Sequence, residues 1–207
     1  MVYKNFIKAG DNFFKINNMA LFTESYLNAY DTAMEANLEF NRYGIFNQII
    51  RGLSYMAKEG LKNKQFFMAA TLILESIKFY EQLETAKDFL LREMVRNVYR
   101  YYYKAANLKK IGYSHIVQSY ILASISCILT GKIEKARKIL NELDSDGVIV
   151  VEQYKTLINI IIDKITKGEQ VELNSFPFHI RRLIEGSEEV LFLLKLFKGF
   201  KIENYNS

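Results

Sequence analysis

The sequence has one proline, one cysteine and no tryptophan among its 207 residues. A single proline excludes a Pro-rich linker and argues against a turn-rich β-sandwich. A single cysteine, Cys127, excludes an intramolecular disulfide framework and any multi-cysteine zinc or iron–sulfur site within one chain. The two histidines, His115 and His179, stand in no HExxH pattern and beside no second ligand at metal spacing. The longest apolar runs, near 157–162 and 190–194, fall short of the ~18 residues that a spanning helix needs. No glycine pattern of a phosphate loop, a dinucleotide site or a nucleophile elbow is present, and no pair of carboxylates suggests acid–base work. The expectation is therefore a non-enzyme with no catalytic residue and no cofactor. The first residues, MVYKNFIKAGDNFFKINN, carry neither an apolar h-region nor a small-residue cleavage site. A cytoplasmic protein without a leader is expected.

What is present is helical periodicity. The chain is 50% hydrophobic and 25% charged, enough apolar matter for a sizeable core. Leu91, Met94, Val95, Val98, Tyr102 and Ala105 form one stripe at i, i+3, i+4, i+7 spacing. Thr85 and Asp88 resemble a capping box at its start, and Gly112 marks its end. The next stripe, Tyr113 to Ile128, closes at Gly131, and a third, Tyr154 to Ile165, closes at Gly168. Ile133 to Leu143 makes a short helix. Two more follow, near 176–185, with Pro177 in a first-turn position, and near 187–202. Val148 to Val151 is β-branched, but the stripe continues through Ile165, so a helical start is expected there.

A weak repeat runs through the chain. Ile7-Lys8-Ala9-Gly10 is similar to Tyr103-Lys104-Ala105-Ala106, and Glu24-Ser25-Tyr26 to Gln118-Ser119-Tyr120. A middle unit places Tyr55-Met56-Ala57-Lys58 in the matching position. Small residues there let one helix approach the next. Recurring helix pairs of about 40 residues are the mark of an α-solenoid. The expected fold is all-α: one domain over 1–207, a right-handed solenoid of antiparallel helix hairpins. The pairs fall at roughly 2–37, 40–83, 85–130, 132–167 and 176–202, the last with a capping C-terminal helix.

The run at 101–143, YYYKAANLKKIGYSHIVQSYILASISCILTGKIEKARKILNEL, resembles the tetratricopeptide class. Its helices of near 20 residues are more similar to those of the soluble NSF attachment protein (SNAP) group. Ala105-Ala106, then Cys127 to Gly131, then Ala136 and Leu140 carry the resemblance. It implies an adaptor that grips an acidic helical bundle with basic surface residues, linked to an AAA ATPase. SNAP proteins end in an acidic tail with a terminal leucine; this chain ends Glu203-Asn204-Tyr205-Asn206-Ser207.

Charge distribution points the same way. From Met94 to Ile133 there is no Asp or Glu, against six Lys and Arg. Arg92, Arg96, Arg100 and Lys104 recur at i+4 spacing and form one helical ridge. Asp88 can relieve Arg92 and Glu93 can relieve Arg96, but no local acid is expected to relieve Arg100 or Lys104. With Tyr99 and Tyr103 beside it, the ridge is the candidate site for an acidic protein segment. A solvated or internally paired face accounts for the same residues. So does a nucleic-acid surface, although no RNP, KH or helix-turn-helix signature accompanies it.

Three lesser features complete the sequence. Glu142, Asp144, Asp146, Gly147 and Ile149 mimic a calcium loop, but Gln153 stands where a bidentate carboxylate belongs, so a turn is expected. Cys127 lies on an apolar face, where a thiol is inert. Val190 to Phe200 is apolar nearly all round. It is expected to cap the solenoid, with a homodimer contact or a membrane-surface helix as alternatives.

Overall fold

A computed structural model gives the fold and describes residues 2–16, 18–36, 42–83, 86–143 and 149–199. Among them the regular elements are α-helices and a 3-10 turn at Leu173–Ser175, with no strand. The helices are α1 (Val2–Lys15), α2 (Met19–Glu35), α3 (Arg42–Lys62), α4 (Phe66–Tyr80) and α5 (Asp88–Leu108). They continue as α6 (Tyr113–Leu129), α7 (Ile133–Glu142), α8 (Ile149–Thr166), α9 (Phe178–Glu185) and α10 (Glu188–Gly199).

Gly131 and Gly168 stop their helices with φ of 78° and 73°, the left-handed conformation that glycine adopts without strain. The β-branched run enters α8 as helix from Ile149; Val148 lies outside the described residues. Three termini differ from expectation. Lys109 caps α5 at φ 50°, and Gly112 instead precedes α6 as its N-cap. Lys87 is the N-cap of α5, so Asp88 is its first residue, where a carboxylate meets the positive helix end; Thr85 lies outside the described residues. Pro177 is the N-cap of α9 rather than a residue of its first turn.

Helices next to one another in the chain also touch: α1 with α2, α3 with α4, α5 with α6, and across these pairs α2 with α3 and α4 with α5. Small residues allow the close approach. A Cβ added to Gly10 would stand 2.6 Å from the Tyr26 ring, and one added to Gly60 would stand 2.8 Å from Met68 Cε. Burial repeats along with the sequence. Ser25, Tyr26 and Ala29 are buried in α2, as are Ser119, Tyr120 and Ala123 in α6. In α3 the buried positions Ile45, Ile49, Gly52, Leu53, Met56 and Gly60 recur 46 residues on as Leu91, Val95, Val98, Tyr99, Tyr102 and Ala106. This corrects the middle register: Gly60, not the exposed Lys58, stands where Ala106 does.

From α6 onward the packing changes. Val117 and every residue from Ser119 to Leu129 are buried, and α5, α7, α8 and α10 all lie against this helix. The main contact of α7 is α6, while α8 rests on α6 and α9. α10 folds back onto α6 and also lies against α9. Its Glu188 meets Lys78 of α4 at 2.6 Å, and that ammonium lies 5.8 Å from the Phe192 ring. Lys78 and its hydrogen bond hold the Glu188 carboxyl below the usual range. Val190, Leu193, Leu194, Leu196 and Phe197 are buried within this chain. In the segment expected to make a homodimer contact, Val190 to Phe200, Leu191 and Phe192 are half-buried, and Phe200 lies outside the described residues. One buried cluster centres on α6 and another on α2–α4, with Ile73 and Tyr80 packed against both. No helix of the described residues is long and apolar enough to cross a membrane.

Candidate functional site: the cationic face of α5

The inner face of α5 is set by Leu91, Val95, Val98, Tyr99, Tyr102, Ala105 and Ala106, all buried. That leaves Arg92, Arg96, Arg100 and Lys104 on the outer side. Arg92 and Arg96 are half-buried; Arg100 and Lys104 are exposed. One acid serves two of them. Glu93 Oε2 accepts from Arg96 Nη1 at 2.7 Å, and its Oε1 lies 3.6 Å from Arg100 Nη1. Arg100 also donates to Asn97 Oδ1 at 3.4 Å. The expectation that no local acid relieves Arg100 is corrected: Glu93 reaches it from two turns away. A single carboxylate between two guanidiniums leaves the group with one net positive charge. All three side chains keep 39–50% of their surface exposed, so solvent weakens these pairs. Arg96 Nε is buried and makes no hydrogen bond among the described residues.

Lys104 has an aromatic neighbour and, among the described residues, no acid. Its Nζ lies 4.9 Å from the Phe66 centroid, and Tyr101 stacks on the same ring at 6.4 Å and 18°. The spacing of Tyr101 and Lys104, i and i+3, was the available signal for this grouping.

Tyr99 and Tyr103 do not accompany the ridge. Tyr99 is 4% exposed and lies under the ammonium groups of Lys132 and Lys135, at 5.3 and 5.2 Å from its ring. Burial pushes its phenol up, but the Lys135 hydrogen bond and the two cations outweigh this and leave it below the ordinary value. Tyr103 donates to both oxygens of Glu142 on α7, at 3.0 and 2.8 Å. These two tyrosines join α5 to α7. Tyr102, fully buried, sits 3.0 Å from the Thr71 hydroxyl, and burial raises its pKa.

The remaining candidates are quickly placed. His115 is exposed, with its ring edge-on to Phe67 at 4.7 Å, and His179 is exposed. Among the described residues no three His, Cys, Asp or Glu converge as metal ligands; Asp144, Asp146 and Gly147 lie outside them.

Cys127 is fully buried, and burial pushes its thiol up to about 12 despite Lys135 and Lys132 nearby. We expect negligible reaction with a thiol reagent in the native protein and full reaction in denaturant. The folded thiol keeps its proton above pH 9.0, the ordinary value, where the unfolded chain loses it. Stability is thus unaffected below that pH and falls as pH rises through it. A stability profile that rises between pH 9.0 and 10 in wild type relative to Cys127→Ala would contradict this.

No protein-family model matches the chain, and neither a curated protein nor a solved structure matches it.

Proposed function

We propose that this chain is a non-enzymatic, cytoplasmic protein-binding adaptor. Its α1–α6 segment is a right-handed stack of antiparallel helix hairpins of the tetratricopeptide or SNAP kind. Paired helices, small residues at their closest approach and the recurring burial pattern support that architecture. The functional reading rests on one observation. α5 carries Arg92, Arg96, Arg100 and Lys104 off its buried face, with Arg100 and Lys104 exposed, and no acid follows Glu93 until Glu134. An acidic segment of another protein, such as a helical bundle, fits this face. Association would be fast and salt-sensitive, because charges of this kind act mainly on encounter and are screened within about 8–10 Å.

The test is capture from native lysate, with and without nuclease treatment, at two salt concentrations. Wild type is compared with Arg96→Glu/Arg100→Glu/Lys104→Glu and with the matching glutamine variant. A partner held by wild type at low salt and weakened about 100-fold by reversal is the expected result. Retention of the same partner by the reversed protein, with unchanged salt dependence, would refute the proposal. Ligands that disappear only on nuclease treatment would move the ridge to nucleic-acid binding.

A further inference from the structure

A second basic surface lies at one end of the molecule, formed by lysines that the ridge does not use. The turn from α3 to α4 runs Lys62-Asn63-Lys64-Gln65, and that from α5 to α6 runs Lys109-Lys110-Ile111-Gly112. Contacts bring the two turns together: Phe66 lies against Tyr101 and Lys104, and Phe67 lies against His115. Each turn belongs to a stretch without acid, 60–74 and 94–133. These stretches are far apart in sequence, and the fold merges them.

Lys62, Lys64, Lys109 and Lys110 are all exposed or nearly so. Glu59 pairs with Lys62 at 2.6 Å, and Glu142 at this end accepts the Tyr103 hydroxyl. Asp144 and Asp146 lie outside the described residues. Two apolar side chains flank the second lysine pair: Leu108 is 43% exposed and Tyr113 is 57% exposed. At each turn one helix ends and the next begins, so opposite helix dipoles meet there and the lysines supply the net positive field.

We propose that this end docks on a membrane surface rich in anionic phospholipid. Lysines meet lipid headgroups at long range, a tyrosine sits at headgroup depth, and an exposed leucine reaches the acyl boundary. A nucleic acid or an acidic peptide is better held along a groove. Here the charges stand on two neighbouring turns, with an aliphatic side chain beside them that a polyanion in water would not use. The proposal is independent of the adaptor reading and uses different lysines.

Co-sedimentation with phosphatidylcholine vesicles, with and without about one-third phosphatidylserine, tests it. Wild type is expected on the anionic vesicles and to leave them at high salt. Lys64→Gln/Lys109→Gln/Lys110→Gln should lower partition about 100-fold, roughly fivefold per lysine. Tyr113→Ser should lower it several-fold with the salt dependence kept. Arg96→Gln/Arg100→Gln should leave it unchanged, which separates this surface from the α5 ridge. Circular dichroism confirms that each variant is folded. Absence of wild-type binding to anionic vesicles, or equal binding by the triple variant, overturns the proposal. So does capture of an RNA or an acidic peptide by these lysines without vesicle binding.

Discussion

Replacing Gly52 by alanine is expected to destabilise the protein by about 2 kcal/mol or more, although alanine normally gains about 1 kcal/mol over glycine inside a helix. The reason is the Phe22 ring. A Cβ on Gly52 would lie 2.3 Å from Phe22 Cζ and 2.9 Å from Cε1. That ring cannot swing aside: it is 2% exposed and held between Phe14 and Tyr26, at 5.7 and 5.0 Å. Gly44 in the same helix has nothing among the described residues within 4 Å of its would-be Cβ. Gly44→Ala should therefore stabilise by about 0.5 kcal/mol. Urea denaturation of the two variants decides the matter. If both shift the midpoint in the same direction, the close approach of α2 and α3 is not as described.

The second large effect is expected at Leu122, which is fully buried in α6. Truncation to alanine removes buried carbons and leaves a cavity that four surrounding helices cannot collapse together. A loss of about 3–5 kcal/mol is expected, lowering the melting temperature by about 10 °C. Leu27→Ala, at a leucine 36% exposed, is expected within about 0.5 kcal/mol of wild type. A thermal melt of Leu122→Ala indistinguishable from that of Leu27→Ala would mean that α6 is not the centre of the larger core.

The helices were legible because their apolar stripes are long and strongly periodic, and because Gly131 and Gly168 supply the left-handed stops that end them. Lys64 and Lys109 take the same conformation, at φ 60° and 50°, without a composition signal. Local backbone hydrogen bonds at the helix ends, Gln65 N–H to Gly60 O and Lys109 N–H to Ala106 O, accompany a conformation that costs a lysine roughly 1 kcal/mol. The ridge arginines were legible from their i+4 spacing. Their supposed tyrosine neighbours were not, because residues adjacent in a helical sequence point about 100° apart. Tyr99 follows the apolar stripe into the core, while Tyr101, at i−3 from Lys104, is the aromatic that shares its side. Glu93 was assigned to Arg96 alone, yet its second oxygen faces Arg100 two turns on. The change of packing after α6 left no trace in periodicity. A stripe shows that a helix is covered without showing by which partner, and the return of α10 joins residues 110 apart.

That return has a bearing on how the chain acquires its fold. α6 ends at Leu129 and α10 begins at Glu188, so nearly 60 residues separate the most enclosed helix from one of its covers. At ribosomal speeds of about 5–20 residues per second, one flank of α6 stays bare for roughly 3–12 seconds of synthesis. The isoleucines and leucines along it are then open to neighbouring nascent chains. Holding factors that bind apolar helices would have their opportunity in that interval, and a ribosome stalled before Glu188 would release a sticky product.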